Sequence, residues 1–248
     1  MNAFIDKRLF VSKIQNIGYG VFAGKYIPKN TIIEVSLTKH VYDHQICEDL
    51  NLINDYTYYF DKKKCVLSLG FGSIYNHADY GINNVSYVIK KNKIIYKTIK
   101  NIQKNQQLTV DYGDEWIKNR NIKISNEILF SKKNKRLEVF IDKKLYVKNN
   151  KIYTKKEIKK NDIVEISHII NFDNIFYLNK NHSLSKLFFY NKKDNFVIPL
   201  GYGNIYRIKN KSNLSYNIKN KKVYFIAKKK INKNEELVVS KQNLFYLK

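Results

Sequence analysis

Three segments of the chain recur in the same order, and this internal repeat constrains the fold more than any other feature. The pairs are Lys25–Thr38 with Lys156–Ile169, Leu69–Tyr75 with Leu200–Tyr206, and Asn84–Val110 with Asn213–Val239. Seven of 14 positions are identical in the first pair and five of seven in the second. The spacing is 131 residues for these two pairs and 129 for the third. Three collinear matches predict two copies of one fold.

The predicted organisation is a first copy at residues 1–123, a linker or short helix at 124–137, and a second copy at 138–248. Both copies contain short β-branched and aromatic stretches bounded by Asn, Gly and Lys, such as Lys93–Ile99 and Lys222–Ala227. This pattern is typical of strands. His44–Asp55 is the clearest helical stretch, because its apolar residues recur on one face. We therefore expect a mostly β fold with few short helices.

Composition excludes several classes of protein. The 248 residues are 44% apolar, which is too much core-forming material for a disordered chain. Two cysteines, Cys47 and Cys65, exclude a disulfide scaffold and a cysteine-rich zinc cluster. No apolar run approaches the ~20 residues of a membrane-spanning helix, and charge follows the N-terminus too early for a secretory signal. The expectation is a soluble intracellular protein without a membrane partner.

The formal net charge of +25 comes almost entirely from lysine, with 42 Lys against four Arg. Together with 32 Asn, this composition fits an AT-rich genome, so coding bias accounts for part of the charge. Readout of DNA bases depends largely on the guanidinium group, which is scarce here, whereas diffuse attraction to phosphates or acidic surfaces remains expected. Residues 1–124 carry a net charge of +7 and residues 125–248 carry +18. The second copy therefore has most of the positive charge.

Three clusters in the first copy carry the residues that could do chemistry. Ile17–Lys29 contains the pair Gly18 and Gly20, but Gly24 falls one position too late for a dinucleotide-binding loop. Leu69–Asn84 contains an adjacent Asn and His, with no metal-ligand spacing around them. In Gln107–Trp116, a tyrosine follows a strand and precedes a glycine turn. Each cluster alone is more often structural than catalytic.

Taken together and in this order, GYGVFA, LGFGSIYNH and QLTVDYGDEW resemble the SET-domain protein-lysine methyltransferases, closest to their compact viral and bacterial members. The resemblance covers about Val11–Trp116. It implies a β-clip fold in which the second and third segments cross in a pseudoknot. It also implies S-adenosylmethionine as the cofactor and a lysine-bearing protein, such as a histone tail, as the substrate, in the nucleus or cytoplasm of a cell or viral host.

The resemblance assigns roles to individual residues. Tyr112 matches the catalytic tyrosine, and no metal site is implied. The expected cofactor-binding residues are Gly18, Tyr19, Gly20, Asn76, His77 and Trp116. The expected walls of the substrate channel are Tyr19, Tyr56 and Tyr75. Two departures affect the rim of the cofactor pocket: Ala78 replaces a Ser or Cys, and Gly81–Asn83 replaces a proline turn, which displaces the following asparagine to Asn83 or Asn84.

The second copy lacks these residues at its aligned positions. Lys148–Lys151 stands in place of the glycine pair, Arg207 and Ile208 replace Asn76 and His77, and Lys241 replaces the tyrosine. We therefore expect no cofactor binding there. Three roles stay open for this copy: docking to DNA or an acidic surface, mimicry of a partner subunit, and stability. The alternative for the whole chain is a non-enzymatic basic scaffold that binds nucleic acid or acidic proteins.

Overall fold

The computed structural model describes residues 3–15, 17–42, 55–61, 64–118, 129–131, 140–173, 189–191 and 195–240. Nearly all regular structure in this part of the chain is β-strand, which confirms the predicted fold class. The predicted helix at 44–55, apart from Asp55, lies outside the described residues, and so does the predicted linker at 124–137, apart from 129–131. Among the described helices, none is long and apolar enough to cross a membrane.

The chain divides into two compact units. One contains Met1, Ala3–Lys39 and Gly70–Glu138, and the other contains Asn2, His40–Leu69 and Val139–Lys248. The division after residue 138 lies next to the predicted start of the second copy. Residues 40–69 of the first copy, however, group with the second unit, so the compact units do not coincide with the sequence repeats.

The first unit is built from short strands, a 3-10 turn at Phe71–Ile74 and a helix, α1, at Asp114–Lys118. Its strands are β1 (Phe4–Ile5), β2 (Leu9–Ile14), β3 (Gly18–Ala23), β4 (Ile32–Tyr42, which ends in the second unit), β7 (Asn76–His77), β8 (Val85–Lys90), β9 (Lys93–Thr98) and β10 (Gln107–Val110). β4 pairs antiparallel with β1 and β9, and β9 pairs with β8. A smaller sheet has the order β2-β3-β10-β7.

Alternation of apolar and polar residues explains why these segments are strands with one buried face. In β9, Ile94, Tyr96 and Thr98 are fully buried, while the residues between them are partly or fully exposed. Val21 and Leu108 are likewise fully buried in the smaller sheet. The core of the unit therefore forms where the inward faces of its sheets pack.

The strands of the second unit are β5 (Thr57–Asp61), β6 (Lys64–Leu69), β11 (Phe140–Ile141), β12 (Leu145–Lys148), β13 (Lys151–Thr154), β14 (Ile163–Asp173), β15 (Phe189–Asn191), β16 (Asn195–Leu200), β17 (Arg207–Ile208), β18 (Leu214–Lys219), β19 (Lys222–Ala227) and β20 (Val238–Val239). From β11 onward, the second unit repeats the strand order of the first half, β1 to β10. The main sheet has the order β15-β16-β14-β19-β18-β20-β17, with β11 on β14. β5 and β6 form a hairpin beside the end of β4, in the order β5-β6-β4, and β6 also contacts β16.

Hydrogen bonds recur at the spacing of the sequence repeat. The Tyr75 hydroxyl donates to the buried Glu34 carboxylate at 2.9 Å, and the Tyr206 hydroxyl donates to buried Glu165 at 2.7 Å. A glycine N–H also donates to each carboxylate, from Gly72 at 3.3 Å and Gly203 at 3.2 Å. Burial raises the pKa of both carboxyl groups to about 7, against the lowering effect of these bonds. Both units thus hold the same buried carboxyl cluster.

Asparagine supplies many of the turns. Among the described residues other than glycine, seven of the nine with positive φ are Asn. Asn30 and Asn161 occupy equivalent turns, as do Asn105 and Asn234, with φ between 62° and 70°. Because Asn tolerates the left-handed region better than most residues, this composition has a structural use in the connections between strands.

Candidate active site

Strand β10 lies between the two strands that carry the other candidate residues. On one side it pairs antiparallel with β3, with Leu108 opposite Val21. On the other it pairs parallel with β7, with Val110 opposite His77. Tyr112 follows two residues after the end of β10. The three sequence clusters therefore meet around one short strand, although more than 90 residues separate the first from the last.

Gly20 leaves a cradle in this sheet. A Cβ atom at Gly20 would lie 2.7 Å from Gln107 Nε2, 2.7 Å from Ile14 Cδ1 and 3.0 Å from Asn76 Nδ2. Gly18, at the start of the same strand, has a φ of 113°, which L side chains rarely adopt. A side chain at position 20 would clash with these neighbours, and a side chain at position 18 would strain the backbone, so glycine suits both positions.

Gln107 Nε2 is a buried donor that has no hydrogen-bond partner among the described residues. A buried donor without a partner is costly, and an acceptor group on a bound ligand would satisfy it. The nearby Asn76 Nδ2 donates to the Tyr19 carbonyl at 3.2 Å. Amide donors beside a glycine backbone suit the carboxylate of an amino-acid group.

His77 orients the chain at Tyr112. Its Nδ1 accepts the Tyr112 N–H at 3.0 Å, and its Nε2 lies 3.1 Å from Asp79 Oδ1. Because Nδ1 accepts, the proton of the neutral imidazole is on Nε2, where it donates to the Asp79 carboxylate. The Ala78 N–H donates to the Val110 carbonyl at 3.0 Å, which continues the contact between these two segments. The histidine is thus fixed on both sides of its ring.

The Tyr112 phenol is held by its hydroxyl and by its ring. The hydroxyl donates to the Tyr75 carbonyl at 2.5 Å. The ring lies 5.3 Å from the His77 ring and 4.6 Å from Trp116, with the tryptophan edge-on at 72°. Trp116 is on α1, half-buried, so the helix places an aromatic side chain directly against the tyrosine. A phenol oxygen that donates its proton in this way can still accept a hydrogen bond through its lone pairs.

The Glu34 cluster reaches this site through Tyr75. The Tyr75 side chain is 1% exposed, and its ring lies 5.0 Å from Tyr96. Its hydroxyl donates a hydrogen bond to Glu34, and its carbonyl accepts one from the Tyr112 hydroxyl. The buried carboxyl therefore fixes the segment whose carbonyl positions Tyr112. Tyr75 is one of the candidate channel residues, and the part of it that faces Tyr112 is its backbone carbonyl.

The other candidate channel residues lie as follows. Tyr19 is half-buried on β3, next to both glycines of the cradle. Tyr56 belongs to the second compact unit, where burial, followed by the charge of Asp55, raises the pKa of its hydroxyl. Both assignments as channel walls stay predictions. Among the described residues, no group of three or more His, Cys, Asp or Glu could hold a metal ion.

The structure adds residues that the motifs did not single out. Gln107 supplies the buried donor described above, and its place at the start of the QLTV strand was the only sequence signal for it. Tyr87 on β8 is half-buried, and burial together with the nearby Asp111 charge raises the pKa of its hydroxyl. Of the two displaced asparagines, Asn84 binds β10, donating to the Gln107 carbonyl at 2.8 Å and accepting the Thr109 N–H at 3.0 Å. The Asn83 amide instead donates to the Val85 carbonyl, two residues along the chain.

The second unit has the same backbone crossing without the cradle. Arg207 pairs with Val238 in parallel strands, and Asn213 binds this strand through the Glu236 carbonyl and the Val238 N–H, as Asn84 binds β10. The hairpin β12–β13, however, closes at Lys148 and Lys151 around two asparagines. In the first unit the equivalent hairpin continues to Ile14 opposite Gly18. The hairpin of the second unit is therefore five residues shorter.

Charged side chains occupy the equivalent of the cradle residues in the second unit. Lys151 stands at the position of Gly20 in the hairpin register, and the Arg207 guanidinium pairs with the Glu236 carboxylate at the positions of Asn76 and Gln107. Lys209 lies 3.4 Å from the same carboxylate. Lys241, the residue aligned with Tyr112, lies outside the described residues.

The family model for the SET domain matches residues 18–113, a range that contains the glycine pair, the Asn-His pair and the tyrosine that meet around β10. A histone-lysine N-methyltransferase of Schizosaccharomyces pombe, named as specific for histone H3 lysine-37, is 34% identical over 114 residues. The match covers 44% of this chain and 76% of that enzyme.

Two solved structures are also similar. A candidate histone methyltransferase of Plasmodium falciparum is 33% identical, with a TM-score of 0.36, and the match covers 45% of this chain and 98% of that one. The CpSET8 protein of Cryptosporidium is 19% identical, with a TM-score of 0.36, and the match covers 43% of this chain and 57% of that one.

Proposed function

The chain belongs to the SET-domain protein-lysine methyltransferases, and on that premise we propose that it methylates a histone with a single active site, built around Tyr112 in the first half. When bound, S-adenosylmethionine supplies a methyl group on a sulfonium, which passes to the neutral amine of a lysine and leaves a thioether. The observation that carries the proposal is the position of β10, paired with both the glycine strand and the Asn-His strand.

Tyr112 orients the substrate amine. Its hydroxyl proton is directed to the Tyr75 carbonyl, so its oxygen lone pairs can accept an N–H from the incoming lysine. His77 fixes the backbone and Trp116 the ring, so the phenol keeps one position during the reaction. Alignment of this kind, together with exclusion of water, supplies most of the rate enhancement in a direct displacement.

Deprotonation of the lysine follows from the chemistry of the site. An amine with an ordinary pKa of about 10.4 is charged in water at neutral pH. A narrow aromatic channel next to a sulfonium disfavours the ammonium form, through desolvation and like-charge repulsion. We assign Tyr19, Tyr56 and the backbone of Tyr75 to the walls of this channel. The substrate proton leaves to solvent before transfer, so no enzyme base is required.

The cofactor would be held by the cradle and its amide donors. The backbone of Gly18, Tyr19 and Gly20 and the side chains of Asn76 and Gln107 suit its amino-acid part. His77 and Trp116 complete the site beside Tyr112. The support for this set is the close approach of the Asn76 and Gln107 amides to the Gly20 backbone, together with the buried Gln107 Nε2 that has no partner among the described residues.

A histone substrate is supported by the S. pombe relative, whose name specifies histone H3 lysine-37. A histone target also favours a nuclear location, in a host cell if the chain is viral. The second half would be a copy of the same fold without catalysis, since its hairpin has two asparagines in place of Lys13–Tyr19 and a lysine at the position of Gly20. Its charge favours contact with DNA or an acidic surface.

Transfer of a labelled methyl group from S-adenosylmethionine to recombinant histone H3 tests the proposal. We expect labelling by the full chain, and we expect Tyr112→Phe to lower turnover about a hundredfold, because the amine loses its orienting oxygen. Cofactor affinity of this variant should stay close to wild type.

The matched control is Tyr80→Phe, which removes a hydroxyl from a tyrosine that is 90% exposed in the same half. Replacement of lysine 37 of the histone by arginine then identifies the acceptor. Equal turnover for the Tyr112 variant and wild type would exclude the catalytic role of Tyr112, and labelling of other proteins but no histone would exclude the proposed substrate.

A further inference from the structure

Two segments of the second unit form an ordered ridge, which we define as residues 155–160 and 228–233. The Ile158 N–H donates to the Ile231 carbonyl at 3.0 Å, and the Ile231 N–H donates back at 2.9 Å. Both isoleucine side chains are fully buried. The Lys156 N–H donates to Thr154 Oγ1 at 3.3 Å, and the Lys159 N–H to Asp162 at 3.0 Å. The backbone of the ridge is therefore fixed from inside.

The ridge carries an unusual density of positive charge. All eight of its lysines are exposed: Lys155, Lys156, Lys159, Lys160, Lys228, Lys229, Lys230 and Lys233. Its single acidic residue is Glu157, which lies 2.8 Å from Lys230. Like charges held this close repel one another, and an anionic partner would relieve that repulsion.

The first half provides an internal comparison at the same place in the fold. Ile27 and Ile102 form the same two hydrogen bonds, at 3.0 and 2.9 Å. The equivalent segments, 24–29 and 99–104, carry only four lysines: Lys25, Lys29, Lys100 and Lys104. Coding bias acts on both halves of one gene, so it does not account for twice as many lysines on one of two equivalent surfaces.

We propose that the ridge binds the phosphate backbone of duplex DNA, without sequence preference. This inference rests on the proposed function. If the enzyme methylates a DNA-bound histone, a second contact with the DNA raises the effective concentration of the histone at the active site.

The chemistry of the ridge favours duplex DNA over other anionic partners. Lysine is a compact point charge that suits a continuous array of phosphates, whereas carboxylates on a protein are matched better by the forked guanidinium, and the ridge contains no arginine. Single strands are bound largely by stacking of bases on aromatic side chains, and the ridge contains none. Duplex DNA presents one charge per ~1.7 Å of helix axis and requires neither feature.

Binding of the full chain to a fluorescent DNA duplex of mixed sequence, measured by anisotropy over a range of salt concentrations, tests the proposal. The ridge variant carries Lys155→Gln, Lys159→Gln, Lys160→Gln and Lys229→Gln. We expect its affinity to fall at least about tenfold at low salt. We also expect the slope of log K against log salt to become shallower, by about 0.9 for each phosphate that the variant no longer neutralises.

The matched control removes four exposed lysines at the tips of two equivalent hairpins, with Lys90→Gln, Lys91→Gln, Lys219→Gln and Lys221→Gln. Its net charge is the same as that of the ridge variant, so it measures the effect of overall charge. We expect its affinity and slope to stay near wild type. Equal losses in both variants would overturn the proposal, because binding would then depend on net charge alone.

Competition identifies the partner. Displacement of the labelled duplex by unlabelled duplex at an equal phosphate concentration supports the proposal. Stronger displacement by single-stranded DNA, or by an acidic protein other than a histone, overturns it.

Methylation of a free histone peptide separates this inference from the proposed function. The ridge variant should methylate the peptide at the wild-type rate. If the wild-type protein binds DNA but labels no histone, the proposed function is contradicted, whereas DNA binding by the ridge is still supported.

Discussion

At the scale of single residues, Gly20 shows how an absent side chain lets neighbouring side chains approach the backbone. Three side-chain atoms lie within 3.0 Å of the place where its Cβ would be, and two of them belong to the amide groups that we assign to the cofactor. The same position in the second unit holds Lys151. We therefore expect the two halves to differ in cofactor binding at this point of the sheet.

We predict that Gly20→Ala weakens S-adenosylmethionine binding about tenfold or more, since the methyl group overpacks the cradle. Isothermal titration measures the dissociation constant. Val88→Ala is the control, because Val88 is 55% exposed on β8 in the same half. A Gly20 variant that binds the cofactor like wild type while folding normally would exclude the cradle.

The paired buried carboxyls give a second prediction at this scale. Burial raises the pKa of Glu34 and Glu165 from 4.5 to about 7, so the folded state retains protons that the unfolded state has released. The free energy of unfolding should therefore fall as pH rises from 4.5 through 7 and level off above, by up to roughly 3 kcal/mol per carboxyl. Urea unfolding at several pH values measures this slope.

The double variant Glu34→Gln with Glu165→Gln should lose this part of the pH dependence, because neither amide titrates. Glu115→Gln, at an exposed position on α1, should leave it unchanged. A pH profile that is the same in the double variant and in wild type would show that the buried carboxyls do not titrate in this range.

At the scale of elements, the hairpin that carries the glycines distinguishes the two halves. In the first unit β2 and β3 pair from Leu9 opposite Ala23 to Ile14 opposite Gly18. In the second unit β12 and β13 stop at Lys148 opposite Lys151, and two asparagines with positive φ close the turn. A two-residue turn of this kind suits the twist of a hairpin, so the shortened form is stable without a ligand.

We therefore predict one cofactor site per chain. Titration of the full chain with S-adenosylhomocysteine should saturate at one equivalent, and Gly20→Ala should weaken that single site. Binding of a second equivalent, retained in the Gly20 variant, would place a cofactor in the second half and contradict this interpretation of the short hairpin.

At the scale of the whole molecule, the compact units do not follow the two repeats. The β5–β6 hairpin of the first half belongs to the second unit, where β6 contacts β16. Cys65, Val66 and Leu67 on β6 are fully buried. Removal of residues 139–248 would take away β16 and leave β6 with β4 as its neighbour in the sheet, so a truncated chain is a poor test of docking.

We predict that the chain truncated after residue 138 exposes the Cys65 thiol. Labelling with a thiol reagent in a Cys47→Ser background should be slow in the full chain and fast in the truncated one, and the truncated chain should melt at a lower temperature. The ridge variant is the control, since its substitutions are all on exposed side chains and should leave both measurements unchanged. A truncated chain as protected as the full one would show that the first half is complete without its partner half.

Local chemistry was readable from the sequence. The repeat, the strand-rich fold class and the family resemblance all depend on residue types and spacings that survive in the linear chain, such as the Asn-His pair and the tyrosine before a glycine turn. A strand can also be predicted from the alternation of apolar and polar residues, which depends only on the residues of that segment.

Pairings between distant segments required the three-dimensional structure. Strand register decides which amide lies at Gly20 and which of Asn83 and Asn84 binds β10. It also decides which strand lies between β3 and β7. A shift of one residue would turn each side chain to the other face of the sheet. The grouping of β5 and β6 with the second unit likewise follows from packing of surfaces that alternation along a strand does not distinguish. Sequence periodicity records which face of a strand is apolar, whereas the identity of the opposing surface is a property of the folded chain.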